Sequence, residues 1–301
     1  MLGTLEDGRI VLEELSRFSN TPIRDGERMY WNIPALLDGI RAGLAKAGAL
    51  GQTINSVSAD AWGVDYVLLD EAGEIMEPVY HYRDPRTAEG EKNVLTRVDW
   101  PTLFEETGIQ YMPLNTSIQL GAENPGRLAK AGLLLTIADA FNYLLCGIGK
   151  VEMSMASTTQ LYNPRTNVWS DRLIDALGFP RSIFPEVAAP ATTLGPLKSS
   201  LAAETNLAKL NVVSSLSHDT ACAVAACPAE GERWAYISSG TWSLMGLEIP
   251  EPIITDACRE LNFTNETGYG GSIRLLKNII GLWLVQECRR AWGAQGNKYS
   301  Y

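Results

Sequence analysis

Short β-rich runs alternate with helical segments along all 301 residues, and this alternation limits the fold more than any other feature. Residues 1–15 predict a hairpin whose turn extends from Glu6 to Arg9. Asn32 then caps a predicted helix that has Pro34 in its first turn. Because hairpins and helices are interleaved without a repeat or a long linker, the sequence predicts an α/β fold.

Two later helices are predicted over residues 126–146 and 273–292, where apolar residues recur at three- and four-residue spacing. A strand is predicted at residues 64–70, which are rich in apolar and aromatic residues. Under this interpretation Asn278 lies near the start of the last helix. Gln286 follows two turns later on the same helix.

Composition excludes several classes of function. The formal net charge of -10 argues against a nucleic-acid binder, which needs a basic face to neutralise phosphates. The longest apolar run, residues 133–146, is interrupted by Asp139 and Asn142 and is too short to span a bilayer. The 5 cysteines form no CxxC pair and no zinc-ligand spacing, which favours reduced thiols in the cytoplasm. We therefore expect a cytoplasmic protein without a structural metal site, and either a monomer or a homodimer is compatible with the sequence.

The most informative stretch for chemistry is residues 217–220, Ser-His-Asp-Thr, which precede a predicted helix of small residues. An Asp at the start of a helix lies where unpaired N–H groups and the helix dipole favour its ionised form. The Asp219 carboxylate could therefore accept the proton of a substrate hydroxyl during phosphoryl transfer. The alternative is an ordinary helix N-cap at Asp219 beside a hydrogen-bonded His218, and by pattern alone this alternative is the commoner one.

Two further stretches could contact ligands. In residues 238–243 small hydroxyl residues surround a glycine, so backbone N–H groups and the Thr241 hydroxyl could approach a phosphate. In residues 60–65 a Trp and two carboxylates flank Gly63, a composition that suits a sugar site. Each stretch has a structural alternative, which is a plain hairpin turn for the first and a twisted hairpin with a core Trp for the second.

Taken in order, these stretches resemble rhamnulokinases within the FGGY carbohydrate kinases. The similar segments extend over nearly the whole chain and comprise residues 61–70, 82–87, 108–116, 158–161, 217–220, 238–246 and 276–284. The resemblance implies a two-domain, actin-like and ribonuclease H-like fold in which sugar and ATP meet in a cleft. It implies an N-terminal sugar-binding domain at residues 1–228 and the start of a nucleotide-binding domain at residues 229–301.

The resemblance also implies a reaction, namely magnesium-assisted transfer of the ATP γ-phosphate to the 1-hydroxyl of L-rhamnulose in rhamnose breakdown. By motif, Asp219 corresponds to the catalytic base of the family. The sugar-contacting positions fall on Gly63, His218, Thr220 and Asn278, and the nucleotide-contacting positions on Thr241 and Gln286. A kinase for a related ketose such as L-fuculose, or a non-catalytic carbohydrate-binding remnant, stays open as an alternative.

The chain departs from the family pattern in three places. No counterpart of the family's Asp-Leu-Gly…Ser-Gly-Arg phosphate turn follows Met1, and no glycine-rich adenosine loop precedes Tyr301. Ala61 stands where the family often has Thr. Because the loss of one transition-state donor already costs roughly 10²–10³ in rate, we expect the 301 residues alone to bind sugar poorly and to have little or no kinase turnover.

Overall fold

A computed structural model describes residues 1–231, 233–240 and 242–300 of the chain. Strands and helices are interleaved throughout these residues, which confirms the predicted α/β class. The strands are β1 (Leu2–Glu6), β2 (Arg9–Glu13), β3 (Ile23–Asp25), β4 (Arg28–Trp31), β5 (Ser56–Val57), β6 (Tyr66–Asp70), β7 (Val79–Tyr80), β8 (Ala131–Thr136), β9 (Val151–Glu152), β10 (Tyr162–Asn163), β11 (Val168–Trp169), β12 (Val187–Ala188), β13 (Thr192–Pro196), β14 (Asn211–Ser214), β15 (Tyr236–Ser239), β16 (Trp242–Ile249), β17 (Thr264–Thr267) and β18 (Ile273–Ile280).

The helices have between four and 17 residues. They are α1 (Ile33–Ala49), α2 (Thr87–Arg97), α3 (Trp100–Thr107), α4 (Thr116–Gly121), α5 (Pro125–Leu128), α6 (Ile137–Cys146), α7 (Met153–Thr158), α8 (Asp171–Leu177), α9 (Ser199–Thr205), α10 (Asp219–Ala225), α11 (Asp256–Glu260) and α12 (Trp283–Ala294). Within the described residues, no helix has the length and apolar character that crossing a bilayer requires.

Two elements near the N-terminus confirm their predictions. Strands β1 and β2 form an antiparallel hairpin that pairs Leu2 with Glu13 and Glu6 with Arg9. Helix α1 begins after Asn32, whose side-chain oxygen accepts a hydrogen bond from the Ala35 N–H at 3.1 Å. The cap satisfies one of the backbone donors that the first turn of a helix leaves unpaired.

The largest hydrophobic core surrounds the antiparallel pair β6–β8, in which Tyr66 lies opposite Thr136. Leu68 and Leu134 are buried between this pair and the helices that pack on it. Burial of these side chains provides the main driving force for folding this half of the molecule. The same core supports the segment before β6, which reaches the candidate site described below.

A three-stranded sheet with the order β13-β14-β5 brings two distant segments together. Strands β5 and β14 are parallel, so the residues that follow them leave the sheet at the same edge. Ala61 then donates its N–H to the Ser217 carbonyl and accepts from the Asp219 N–H, both at 2.9 Å. The backbone of residues 60–63 is thereby fixed beside the start of α10.

The second half of the chain is built on an antiparallel sheet with the order β15-β16-β18-β17. Strand β18 is paired on both sides, and in its register Asn278 lies opposite Leu244 of β16. The first four residues of β18 are all buried. This sheet forms one side of the candidate site.

The helix predicted over residues 273–292 is wrong in its first half, because residues 273–280 form strand β18. A strand that is buried on both faces lacks the alternation of apolar and polar residues, so spacing alone does not distinguish it from a helix. The true helix α12 begins only at Trp283. Asn278 therefore lies on a strand rather than on the first turn of a helix.

The helix predicted over residues 126–146 is also wrong in part, since β8 separates α5 from α6. The continuous apolar run of β8 passes directly into α6, and the two together imitate one long helical pattern. The strand predicted at residues 64–70 begins two residues later, at Tyr66. Val64 has a φ of 70°, which lies outside the range that a strand allows.

Candidate active site

A cleft of about 330 Å³ lies between the segments joined at Ala61 and the four-stranded sheet. Its walls are formed by Trp62, Gly63, Val64, Tyr82, Ile109, Gln110, Met112, Leu114, Asn115, Thr158, His218, Asp219, Thr220, Ser238, Ser239, Gly240, Trp242, Leu244, Thr264, Glu266 and Asn278. Aromatic, amide and charged side chains thus converge on one concave surface, a combination typical of small-molecule sites.

Asp219 is the first residue of α10 and extends its carboxylate into the cleft, where its side chain is 52% exposed. Its Oδ1 accepts hydrogen bonds from the Thr220 N–H at 2.6 Å and the Thr220 hydroxyl at 3.2 Å. The surrounding protein removes water from this carboxyl and raises its pKa above the ordinary value. The N-cap itself is His218, so Asp219 is not the ordinary cap of the alternative interpretation.

The backbone before Asp219 is held by a buried carboxylate. Glu152 Oε2 accepts the N–H of Ser217 at 3.1 Å and the N–H of Ser154 at 2.9 Å. The Ser154 hydroxyl oxygen in turn accepts the N–H of His218 at 3.1 Å. Burial raises the pKa of Glu152, and these hydrogen bonds act in the opposite direction. The result is a rigid approach of the chain to the catalytic candidate.

A buried charged network from the second half of the chain reaches the same point. Arg274 of β18 donates one N–H to Glu266 Oε2 at 2.9 Å, and the same nitrogen lies 3.0 Å from His218 Nδ1. Burial lowers the pKa of His218 well below its ordinary value, and the charge of Arg274 lowers it further. Sequence reasoning missed Glu266 and Arg274. The one available signal was an Arg inside an apolar run, since such a residue is rarely buried unless it is paired.

One wall of the cleft is aromatic. Trp62 and Tyr82 line it, and behind them Trp31 and His81 complete a row of four rings with centroids 4.3–4.4 Å apart. Both indole N–H groups, of Trp31 and Trp62, donate to Asp65 Oδ2, at 2.5 and 2.7 Å. Asp65 is fully buried, and burial raises its pKa to about 7. The ring of Trp62 is therefore held in one orientation.

Gly63 lies where the cleft wall approaches α7. A Cβ at this position would lie 3.1 Å from Thr158 Cγ2, closer than most real Cβ contacts. The next residue, Val64, donates its N–H to Thr158 Oγ1 at 3.2 Å and accepts the Thr116 hydroxyl at 2.6 Å through its carbonyl. These contacts hold Val64 in an uncommon backbone conformation beside the cleft.

The structure brings five of the predicted site residues to this cleft. They are Gly63, His218, Asp219, Thr220 and Asn278. Gln286 lies on α12 and is not among the described residues that line the cleft. Thr241 lies outside the described residues. The roles of all these residues stay predictions.

The turn predicted to approach a phosphate is partly engaged by the protein itself. The Gly240 N–H donates to the Trp242 carbonyl at 2.9 Å, and the Gly240 carbonyl accepts from the Leu282 N–H at 2.9 Å. In the loop at residues 83–86, Asp84 pairs with Arg28 at 3.0 Å.

The described parts of the chain, residues 1–231, 233–240 and 242–300, hold no group of three or more His, Cys, Asp or Glu side chains that could bind a metal ion. Mg²⁺ commonly keeps several waters and uses one or two carboxylates together with substrate phosphates, so a kinase does not require such a group. Within these residues the donor set offers no cage for the ion.

Solved structures of sugar kinases share this architecture. The chain aligns with gluconate kinase from Lactobacillus acidophilus at a TM-score of 0.81 and 15% identity, covering 94% of this chain and 58% of that one. It aligns with ligand-bound xylulose kinase from the same organism at a TM-score of 0.79 and 14% identity, covering 90% and 56%. The fold is therefore the actin-like ATPase fold of sugar kinases, as the resemblance implied.

Family models and curated relatives identify a family within the sugar kinases. The N-terminal domain model of the FGGY family of carbohydrate kinases matches residues 14–226, and the C-terminal domain model matches residues 235–301. The chain belongs to the FGGY family of carbohydrate kinases. It is 39% identical over 297 residues to a rhamnulokinase from Enterococcus faecalis and 40% identical over 296 residues to one from Bacteroides thetaiotaomicron. These alignments cover 99% and 97% of the chain but 60% and 61% of the relatives, so the chain spans about three fifths of their length.

Proposed function

We propose that this chain is part of a kinase that transfers the ATP γ-phosphate to the 1-hydroxyl of L-rhamnulose. The observation that carries the proposal is the Asp219 carboxylate, which enters a cleft that Gly63 and Asn278 also line. The similarity to curated rhamnulokinases supports L-rhamnulose as the sugar. The activity and the substrates of the whole protein are part of this proposal.

Asp219 is the proposed general base. Its carboxylate accepts the proton of the sugar hydroxyl as the oxygen attacks phosphorus, a task that needs positioning more than a strong base. Its raised pKa makes it a better proton acceptor. Hydrogen bonds from Thr220 hold one carboxylate oxygen and leave the other to meet the sugar.

The remaining cleft residues are proposed to bind and orient the ketose. The rings of Trp62 and Tyr82 offer apolar surfaces for the C–H faces of a sugar. His218 and Asn278 offer polar groups to its hydroxyls, and Gly63 allows the sugar to approach the backbone. Together these groups would hold the reacting hydroxyl next to Asp219. Holding reacting groups close and aligned accelerates a reaction strongly.

ATP and Mg²⁺ are proposed as co-substrate and metal because the family consists of carbohydrate kinases. Thr241 and Gln286 are the proposed nucleotide contacts. When bound, Mg²⁺ neutralises charge that develops on the transferring phosphoryl group. We place the protein in the cytoplasm, since its 5 cysteines are all unpaired thiols.

The test combines sugar binding with phosphoryl transfer. L-rhamnulose is titrated into the chain by calorimetry, and ATP-dependent formation of L-rhamnulose 1-phosphate is followed by ³¹P NMR over hours, which detects slow transfer. We expect Asp219→Asn to bind the sugar within about threefold of the wild type and to lower transfer by roughly 10²–10⁴, the contribution of a general base. L-fuculose in parallel tests the related-ketose alternative.

Three outcomes would contradict the proposal. Undiminished transfer by Asp219→Asn would remove the assigned base. Preference for L-fuculose would change the substrate. Saturable sugar binding without any transfer, in a protein extended to the length of the rhamnulokinase relatives, would favour the carbohydrate-binding alternative over a kinase.

A further inference from the structure

Arg274 is the largest of the fully buried side chains, yet it carries a charge. Its guanidinium donates to Glu266 Oε2 at 2.9 Å and to the Thr267 carbonyl at 3.3 Å, and it lies 3.0 Å from His218 Nδ1. Burying a charged guanidinium costs on the order of several kcal/mol unless it is paired and hydrogen-bonded. The contacts above provide this pairing for Arg274. Two of its contacts lie at the wall of the cleft, at His218 and Glu266.

The contact with His218 determines the position of the imidazole proton. Arg has only donors and stays protonated, so the nitrogen that faces Arg274 must accept. Nδ1 of His218 is therefore unprotonated. Burial lowers the pKa of this imidazole well below its ordinary value, so the ring is neutral and carries its proton on Nε2.

The protonated side of the ring faces the catalytic candidate. His218 Nε2 lies 3.5 Å from Asp219 Oδ1, which is too long for a strong hydrogen bond. The cleft therefore presents an N–H donor beside a carboxylate acceptor. A sugar hydroxyl that approaches both groups from the cleft can accept from Nε2–H and at the same time donate to the Asp219 oxygen that Thr220 does not hold.

We propose that Arg274 and Glu266 are positioning residues that keep His218 in the Nε2–H form, so that His218 and Asp219 together bind the reacting hydroxyl of the ketose. The part of this proposal that concerns the ketose rests on the proposed function. The assignment of the imidazole tautomer does not depend on it. Glu266 lies 3.5 Å from His218 Nδ1 and balances the charge of Arg274. Without Arg274, the Glu266 carboxylate would accept a hydrogen bond from a protonated Nδ1. The unprotonated Nε2, which is an acceptor, would then face Asp219.

The chain has 2 histidines, which makes the tautomer directly measurable. Long-range ¹H–¹⁵N spectra of ¹⁵N-histidine-labelled protein distinguish Nε2–H, Nδ1–H and imidazolium, and His81→Gln assigns the two sets of signals. His81 is an internal control, because its Nδ1 accepts from the Arg83 N–H at 2.9 Å rather than from Arg274. We expect Nε2–H for both rings in the wild type.

Arg274→Met should convert His218 to Nδ1–H or imidazolium and leave His81 unchanged. Adding Glu266→Gln should restore Nε2–H, because the Gln amide replaces the lost donor and no unpaired carboxylate remains. The double variant also removes both buried charges, so it remains informative if Arg274→Met alone does not fold. An Nδ1–H tautomer of His218 in the wild type, or in the double variant, would overturn the proposal.

Sugar affinity supplies the second readout. We expect Arg274→Met to weaken L-rhamnulose binding about 10-fold, the effect of one hydrogen bond, and the double variant to recover most of it. His218→Gln, whose amide N–H can replace Nε2–H, should bind better than His218→Asn. If the tautomer changes as expected but every variant binds the sugar equally, the positioning role is wrong while the kinase assignment stands. If no variant binds or phosphorylates a ketose while the tautomer results hold, the proposed function alone fails.

Discussion

Gly63 leaves almost no room for a side chain between the cleft wall and α7. A methyl group would press on Thr158, which accepts the Val64 N–H at 3.2 Å. We expect Gly63→Ala to move residues 62–64 and to weaken L-rhamnulose binding roughly 10-fold, since a shift of 1 Å in a site can cost even more. Calorimetry measures the affinity.

A glycine in a helix supplies the matched control for this substitution. A Cβ at Gly43 of α1 would lie 3.5 Å from Ser16, an ordinary contact. Gly43→Ala should leave sugar binding unchanged and raise stability by about 0.5–1 kcal/mol. Equal affinity of Gly63→Ala and the wild type would show that Gly63 is not a sugar contact.

Asp65 holds the aromatic wall from behind. Asp65→Ala leaves two indole N–H groups, of Trp31 and Trp62, without their acceptor, and a buried donor left unpaired costs about 1–3 kcal/mol. We therefore expect a loss of about 2 kcal/mol or more in the free energy of unfolding, measured by urea denaturation. Asp65→Asn keeps one acceptor oxygen and should lose much less. Asp70→Ala, at the turn after β6, removes the acceptor of two exposed N–H groups and is the control, which should cost under about 1 kcal/mol. Equal losses in Asp65→Ala and Asp70→Ala would contradict the argument.

At the scale of single residues, the sequence analysis found the site residues that lie in recognisable motifs. It missed the site residues that only packing brings together. His218 and Asp219 stand in a short polar stretch before a helix, and the structure places both at the cleft. Glu266 lies in a strand of four polar residues without an apolar pattern, although all four are buried. Burial of polar side chains depends on partners that are distant in sequence, such as Arg274 for Glu266, and a local pattern does not contain them.

Among the elements, β17 connects the two halves of the chain. Its buried Asn265 donates to the carbonyls of Gly108 and Ile253, both at 3.1 Å, and accepts the Ile253 N–H at 2.8 Å. Farther along the strand, Thr267 donates its hydroxyl to the Met153 carbonyl at 2.7 Å. The strand therefore holds the four-stranded sheet against α3 and α7, which fixes the width of the cleft.

Replacing this amide should destabilise the protein and loosen the cleft together. Asn265→Ala leaves the Ile253 N–H without its acceptor and removes one hydrogen bond from each of the Gly108 and Ile253 carbonyls, although Gly108 keeps the backbone N–H of residue 265. We expect a loss of about 2 kcal/mol or more in the free energy of unfolding. Asn93→Ala, which removes a single exposed hydrogen bond to Gly121, is the control and should cost about 0.5 kcal/mol or less. Chemical denaturation compares them, and equal losses would mean that β17 does not hold the halves together.

The elements also show where sequence patterns stop being informative. The helix at residues 171–177 carries a signal at each end in the sequence, because Ser170 caps its start and Gly178 closes its end with a φ of 72°. By contrast, β8 and β18 carry apolar runs, and no N-cap side chain forms a capping hydrogen bond at the start of α6 or α12, the helices that come next in the chain. Pairing with neighbouring strands decides whether those segments form strands or helices. This pairing exists only in the assembled sheet and is absent from a local sequence pattern.

At the scale of the whole molecule, the described residues include several buried acids, a type of residue that is rarely buried. Asp65, Asp139, Glu152 and Glu266 are all buried, and burial raises the pKa of each. Three of them contact the site: Asp65 orients Trp62, Glu152 holds the backbone before Asp219, and Glu266 pairs with Arg274. Burial of these acids lowers the stability of the fold and places polar groups around the cleft. Buried ionisable groups of this kind are expected at functional sites.

This framework predicts that stability falls as the pH rises from 7 to 8.5. Burial, together with the charge of Glu152, raises the pKa of Asp139 to about 8, whereas an unfolded Asp has a pKa near 3.9. The folded state thus holds a proton that the unfolded state has lost, so its stabilising contribution is present at low pH and disappears as the pH rises through about 8. The histidines add little here, because above pH 7 they are mostly neutral in both states. We expect the free energy of unfolding to fall by about 1 kcal/mol over this interval in urea titrations at several pH values.

Asp139→Asn isolates the responsible group, because the amide oxygen can still accept the Thr136 hydroxyl and the Glu152 N–H that Asp139 accepts now. The variant should lose more than half of the pH dependence between pH 7 and 8.5 while keeping the fold. A wild type whose stability is constant or rises over this interval would show that Asp139 is ionised in the folded protein.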